Sequence, residues 1–336
     1  MRYFAGIDLH STNSVLDLLD ATDRVVLEKR LPNDLGIILS EMEPYQREVE
    51  GVVVESTYNW YWLVDGLRDA GYQVHLAHPA GNEQYRGLKH VDDRHDARWL
   101  AHLLRLGILH EGHVLCREDR AVRDLLRKRG HLVRERTRHI LSVGNLIERN
   151  TAIRLKGGKI QALSREQVVE MLAREQALAV TASLEVLRCL GEQIRMLEKE
   201  VRRRVRPRVE WERVSQMPGI GEILGWTIVL ESGPVSRFPG AGHYASYSRC
   251  VGSRWMSNGK GKGRGNRKNG NRYLGWAFME AAHFAVRYDA RIRRYYQRRC
   301  ARGHCFAASK AVASKLAKAC YYILRDGVSF EVERAF

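Results

Sequence analysis

Asp8 closes an apolar run, Tyr3-Phe-Ala-Gly-Ile-Asp8-Leu-His10, and Glu55 closes another, Gly51-Val-Val-Val-Glu55. Asp93 and Asp96 stand three apart in Asp92-Asp-Arg-His-Asp96, so on a helix they share one face of the first turn. A carboxylate on a short buried strand is costly unless it meets a cation. Four acids gathered at strand ends and one helix start repel each other in an empty site and become favourable around divalent cations. Hard oxygen ligands with open positions suit Mg²⁺. Two such ions, about 4 Å apart, can activate a nucleophile and stabilise the leaving oxygen at a phosphodiester. The aspartate pair has a plainer use too, because acids in a first turn complement the helix dipole.

Two further stretches have the chemistry of phosphate recognition. Val214-Ser-Gln-Met-Pro-Gly-Ile-Gly221 leads into a helix expected over Glu222–Glu231. Gly219 and Gly221 at that helix start would turn backbone N–H groups outward as a phosphate cradle. The pattern over 214–231 is that of a helix-hairpin-helix element, with a plain helical packing corner as the alternative. The second stretch, 253–273, is basic and glycine-rich. Glycines at 259, 261, 263 and 265 alternate with Lys260, Lys262 and Arg264, and Arg254, Arg267 and Lys268 add to the charge. Glycine lets a backbone approach closely, and the cations meet phosphate. Ser257 stands at the entrance, where a lone serine also reads as a turn residue.

These residues need a scaffold. Strands are expected over 3–9, 13–20 and 24–31, with turn signals at Ser11-Thr-Asn13 and Ala21-Thr-Asp23. A helix over 33–43 follows, capped by Asn33 or Asp34. Then come the strand 51–55, a helix from Tyr58 to Ala70 closed by Gly71, the strand 72–78, and an amphipathic helix over 92–104. The order βββαβαβα indicates an α/β domain with a mixed sheet, over 1–112.

Residues 117–205 are rich in Arg and Leu and read as two helical stretches split at Lys156-Gly-Gly-Lys159. Leu187, Leu190, Ile194, Leu197 and Val201 follow steps of three and four, and Leu126, Val133, Ile140 and Ile147 repeat every seven. An antiparallel coiled-coil hairpin is expected, or a seam shared between protomers. Its polar faces, with Arg127, Arg129, Arg134, Arg136, Arg138 and Arg202 to Arg204, suit a nucleic-acid backbone. A mainly α domain over 210–330 completes the chain, with helices expected over 272–285 and 307–326.

The charge is divided along the same boundaries. Residues 1–110 carry 11 Lys/Arg against 17 Asp/Glu, and the remainder carries 45 against 22, within a total of +17. An acidic head on a basic body suggests a cation site joined to a polyanion-binding surface. The six cysteines form no CxxC pair, which argues for reduced thiols in a cytosol. Cys300, His304 and Cys305 with His283 fit no common zinc spacing. No apolar run approaches a membrane span and the N-terminus has no signal-peptide layout, so a cytoplasmic place is expected.

Taken together, Gly6-Ile-Asp8, Val54-Glu55, Asp93-Arg-His-Asp96-Ala-Arg98, Pro218-Gly-Ile-Gly221, Ser257-Asn-Gly259 and Lys268-Asn-Gly-Asn-Arg-Tyr-Leu274 resemble the DEDD insertion-sequence transposases. These include bridge-RNA-guided recombinases and are related to pilin-gene invertases. The likeness covers nearly the whole chain. It implies an RNase H-like (RuvC-like) N-terminal domain and a C-terminal serine transposase domain. Asp8, Glu55, Asp93 and Asp96 would be the metal-binding acids and Ser257 the nucleophile, with Ser253 as the fallback, since many relatives have Ser-Gly where this chain has Ser257-Asn258-Gly259. It further implies donor and target DNA, a structured noncoding guide RNA, and a homo-oligomer (dimer or tetramer) in which a serine of one protomer meets acids of another.

The chemistry so implied is DNA strand exchange through a covalent phosphoserine link, which needs no added ATP. Two other classes fit the same residues: a metal-dependent junction resolvase or nuclease that uses water, or a DNA invertase, on one side, and a non-catalytic nucleic-acid-binding protein on the other.

Overall fold

The structure, a computed structural model, describes residues 1–82, 93–252, 255–263 and 269–336. It divides into two compact units, Met1–Val114 and Leu115–Phe336.

The first unit is a five-stranded mixed sheet with helices on both faces. Strands β1 (Tyr3–Leu9), β2 (Asn13–Asp20) and β3 (Val25–Pro32) run as an antiparallel meander. Helix α1 (Leu35–Met42) follows, capped by the Asp34 side chain, which accepts from Ile37 N. Then come β4 (Val49–Glu55), α2 (Tyr61–Asp69), β5 (Val74–Ala77) and α3 (Asp93–Arg105). The order across the sheet is β3-β2-β1-β4-β5, with β4 parallel to β1 and β5 parallel to β4. Helix α2 starts at Tyr61, three residues later than expected.

Alternation along the strands sorts the two faces. Tyr3, Ala5, Ile7 and Leu9 pack with Leu63, Val64 and Leu67 of α2 on one side. Gly6 faces α3 on the other, where a Cβ would lie 2.0 Å from Ala97 O and 2.9 Å from Ala101 N. Only a glycine lets a helix backbone come this near a strand. Val53, Ala77 and Leu100 fill the same face.

The second unit opens with a helical hairpin. Helix α4 (Arg117–Thr151) is 35 residues, about 50 Å long. It ends where Ala152 turns left-handed at φ 58. Two short helices, α5 (Gly157–Gln161) and α6 (Arg165–Met171), replace the single glycine break expected at 156–159 and lead into α7 (Arg174–Val205). Val143 and Ile147 near the end of α4 pack with Val180 and Leu184 near the start of α7. Val122 and Leu126 share a core with Val201 and Val205, so the two long helices run antiparallel.

The rest is mainly helical: α8 (Val209–Ser215), α9 (Glu222–Ser232), α10 (Ala241–Tyr247), α11 (Arg272–Tyr288), α12 (Ala290–Cys300), α13 (Cys305–Asp326) and α14 (Val332–Ala335). Trp226, Tyr244 and Phe278 are fully buried at its centre. Helix α12 departs from the expectation, because Ile292 is its one fully buried residue and five arginines mask the pattern; Tyr295 and Tyr296 pack at the core's margin, and Asp289 caps the helix by accepting from Arg291 N and Ile292 N. The stretch expected to be a plain glycine-rich loop contains a small hairpin, β6 (Trp255–Ser257) against β7 (Lys260–Gly263). Among the described residues no helix is long and apolar enough to cross a membrane.

Candidate functional site

The acidic residues of the first unit are brought together by sheet register and by Gly6. Ile7 pairs with Val54 across parallel β1 and β4, so Asp8 and Glu55 emerge at the same edge of the sheet. Asp8 lies on the Gly6 face, which α3 covers, and the first turn of α3 carries Asp93 and Asp96. Asp8 is only 4% exposed.

Electrostatics record how near these groups are. Burial pushes the Asp8 carboxyl above the ordinary carboxylate range, His10 opposes the rise, and Asp96 and Asp93 add to it. Burial raises Glu55 likewise, and Asp8 and Asp96 raise it further. Asp93 behaves oppositely: a hydrogen bond from Arg30, 2.6 Å long, holds its carboxyl below the usual range against some burial, with help from His10. Asp8 thus feels Asp93 and Asp96, and Glu55 feels Asp8 and Asp96, but among the described residues only Asp8 and Asp93 of the four come within ligand distance of a shared point, with His10.

His10 completes the group and was missed in the sequence, although its i, i+2 spacing from Asp8 puts both on one side of an extended chain. Its Nε2 lies 3.1 Å from Asp8 Oδ2 and 3.4 Å from Asp93 Oδ2. Two amides hold its backbone, since Asn33 Nδ2 and Asn59 Nδ2 each donate to His10 O at 3.0 Å. Asp8, His10 and Asp93 each offer a ligand atom within 4.8 Å of the others. The enclosed His10 Nε2 faces both carboxylates as their ion-pair partner. One imidazole nitrogen and two carboxylates at this spacing are a donor set that fits a divalent cation.

Arg98 anchors the same helix to the sheet. It pairs with the buried Asp17 at 3.2 Å and with Glu28. At the far end of α3, Asp23 receives Arg105 Nε at 2.8 Å and lies 2.7 Å from His102 Nδ1. These pairs fix where α3 presents its acidic first turn.

Ser257 is in the second unit, exposed at the end of β6. It pairs with Lys260 across a two-residue turn, Asn258-Gly259. Both turn residues have positive φ, 50° and 71°, as a type I′ turn requires. The Asn-Gly pair was the signal for this hairpin in the sequence. Lys260 and Lys262 are exposed along β7. Arg254, Arg264, Arg267 and Lys268, and the fallback Ser253, lie outside the described residues.

The stretch 209–232 is a helix, a turn and a helix, and its two glycines have different surroundings. Gly219 has φ +81, and a Cβ on it would lie 2.2 Å from Ala281 O of α11, so its small size is needed for packing. Gly221 precedes the first residue of α9, and a Cβ there would meet nothing within 4 Å. Much of the arginine on the long helices is matched inside the chain. Arg127 pairs with Glu231, Arg129 with Glu198, Arg202 with Glu222, and Arg203 and Arg204 with Glu200.

Two family models match parts of this chain, and the first of them extends past the first unit into the first long helix. Residues 5–149 match a transposase model for DEDD transposases of the IS110 type, and residues 211–297 match the transposase IS116/IS110/IS902 family. Between the two matches lies the whole of the second long helix. The chain is 26% identical over 292 residues to a probable family 20 transposase of Pseudomonas aeruginosa, which covers 84% of this chain and 83% of that protein. It is 27% identical over 181 residues to an uncharacterised 43.6 kDa protein of insertion element IS110 from Streptomyces coelicolor, covering 54% and 45%.

Proposed function

We propose that this chain, which belongs to the IS110/IS116 family of transposases, cuts and rejoins DNA strands for an insertion sequence with Ser257 as its nucleophile. Asp8, Glu55, Asp93 and Asp96, joined by His10, would hold the Mg²⁺ that the reaction needs. The observation that carries the reading is the convergence of Asp8, His10 and Asp93 within 4.8 Å.

A divalent cation held there would supply charge neutralisation at the phosphate and a lowered pKa for a bound hydroxyl. The chain does the rest. Parallel strand ends hold Asp8 and Glu55, and the α3 start holds Asp93 and Asp96, so the ligands are preorganised before substrate arrives. Lys260 and Lys262 flank the serine and offer cations to the DNA backbone. Ser257 Oγ attacks phosphorus, an Oγ–P ester forms, and the P–O bond to the departing sugar oxygen breaks. The hydroxyl proton leaves to a base and the departing oxygen takes one up. The incoming strand's hydroxyl then displaces the serine by the reverse steps. One ester is exchanged for another, so no ATP is consumed.

A structured noncoding RNA from the element pairs with donor and target DNA, and the basic residues after 110 bind both polyanions. The working form is a homo-oligomer whose protomers exchange serine and acids.

The test is to trap the covalent link. Full-length protein with labelled DNA, the element's RNA and Mg²⁺ should yield a protein–DNA adduct that Ser257→Ala does not form. An adduct with Ser257→Ala overturns the nucleophile. Strand cleavage with no adduct from wild type indicates a resolvase that uses water, a reading the acid cluster alone also supports.

A further inference from the structure

A cavity of about 500 Å³ lies wholly within the second unit, between α4, α9 and the start of α11. Its walls combine two features. One is cationic, from Arg127, Arg134 and Arg272; the other is aromatic, from Tyr273 and Trp276.

Not all of these are available to a ligand. Glu231, 3% exposed, takes Arg127 bidentately at 2.7 and 2.8 Å, and Asn271 Nδ2 donates to it at 2.7 Å. Asn271 Oδ1 also accepts from Tyr273 N and Leu274 N, capping α11. The Tyr273 ring lies 4.6 Å from the Arg127 guanidinium and 4.9 Å from that of Arg272. This core holds the first turn of α11 rigidly and uses up Arg127 and Tyr273.

Two groups remain. Trp276, one turn beyond Tyr273 on the same helix, is 45% exposed and has no aromatic partner among the described residues. Among the described residues neither Arg134 nor Arg272 has a carboxylate partner; Arg272 donates to the Tyr273 hydroxyl at 2.9 Å and lies against its ring. An exposed indole costs solvation free energy that a solvated surface does not recover. Beside two guanidinium groups whose charge no carboxylate among the described residues neutralises, in a concave site, it has the composition of a single-strand binding platform: a ring for a base and cations for the phosphates around it.

We infer that this cavity receives an unpaired nucleotide of the nucleic-acid substrate, its base stacked on Trp276 and its phosphates met by Arg134 and Arg272. A duplex presents phosphates but no free base face, so duplex alone leaves the indole unused. Stacking is indifferent to base identity, so the site grips without sequence preference. The proposal rests on the reading of the chain as a DNA-handling enzyme. It adds that the second unit holds strands that are open at this point, as strands undergoing exchange must be.

The test uses full-length protein and fluorescent homopolymers of about twelve nucleotides, as DNA, as RNA and as duplex DNA. Trp276→Ala should weaken single-strand binding roughly 5- to 100-fold and leave duplex binding within about twofold. Trp276→Phe should recover most of the loss. A loss confined to DNA or to RNA identifies which strand supplies the nucleotide. Unchanged single-strand binding, or an equal loss on duplex, overturns the proposal. Because Trp276 is exposed, the variant keeps its fold, which circular dichroism checks. Ser257→Ala separates the two readings: it should bind single strands as wild type does while forming no adduct. Absence of the adduct from wild type, with the Trp276 effect intact, removes the serine-nucleophile reading alone.

Discussion

Gly6 and Ala97 touch backbone to backbone: a Cβ built on Gly6 would lie 2.0 Å from the Ala97 carbonyl oxygen. The contact sets the height of α3 above the sheet, and so the distance from Asp8 to the aspartates of the first turn. Gly6→Ala should therefore lower both stability and metal affinity. Overpacking of this kind costs about 1–3 kcal/mol or more. The clash is with main chain, so no change at position 97 relieves it. Thermal unfolding with and without Mg²⁺ measures both losses; an unchanged metal response would separate α3 from the site.

Asp8→Asn should give a sign reversal between conditions. In metal-free buffer the substitution removes a buried charge that Asp93 and Asp96 oppose, so stability should hold or rise. With Mg²⁺ or Mn²⁺ the ligand-induced rise in Tm, which scales as RT ln(1 + [L]/Kd), should disappear. Equal metal-induced shifts in wild type and variant would rule Asp8 out as a ligand.

The presence of His10 bears on which ion binds. Imidazole favours later first-row metals over Mg²⁺. Mn²⁺ should bind tighter than Mg²⁺ by calorimetry, and His10→Ala should narrow that gap while leaving some Mg²⁺ binding to the carboxylates. A gap that survives His10→Ala would place the imidazole outside the coordination sphere.

Glu231 is a nearly buried anion that holds Arg127 and Asn271 together. Removing one partner of a buried pair strands the other, at a cost of about 3–5 kcal/mol. Glu231→Ala should lower the unfolding free energy by an amount of that order in urea titration. Arg127→Met made with it should recover part of the loss, because the stranded guanidinium is gone.

At the serine hairpin the turn itself is testable. Gly259 has φ +71, a conformation that costs a residue with Cβ about 1–2 kcal/mol. Gly259→Val should reduce adduct formation with little effect on global Tm, since β6 and β7 form a separate two-stranded sheet. A variant that forms adduct at the wild-type rate would show that the turn does not position Ser257.

Much of this was legible from residue order. Apolar runs ended by Asp8 and Glu55, the three-residue step from Asp93 to Asp96, and the heptad spacing of Leu126 to Ile147 are local patterns, and local patterns follow from backbone periodicity. The mixed sheet, the acidic turn of α3 and the two long helices could be read that way. The arrival of His10 in the acid group could not, because it depends on α3 closing over β1, a contact between residues some ninety positions apart. Nor could the fate of the arginines. Arg127 and Arg202 look alike in sequence, as free cations for a polyanion; the fold gives each a carboxylate, Glu231 or Glu222. Gly219 likewise reads as a cradle residue and is pressed against Ala281. Sequence alone determined which residue types are present and which share a face of their own element. Tertiary structure decided which charges are already neutralised and which remain to bind, because that depends on distances between elements that chain order does not encode.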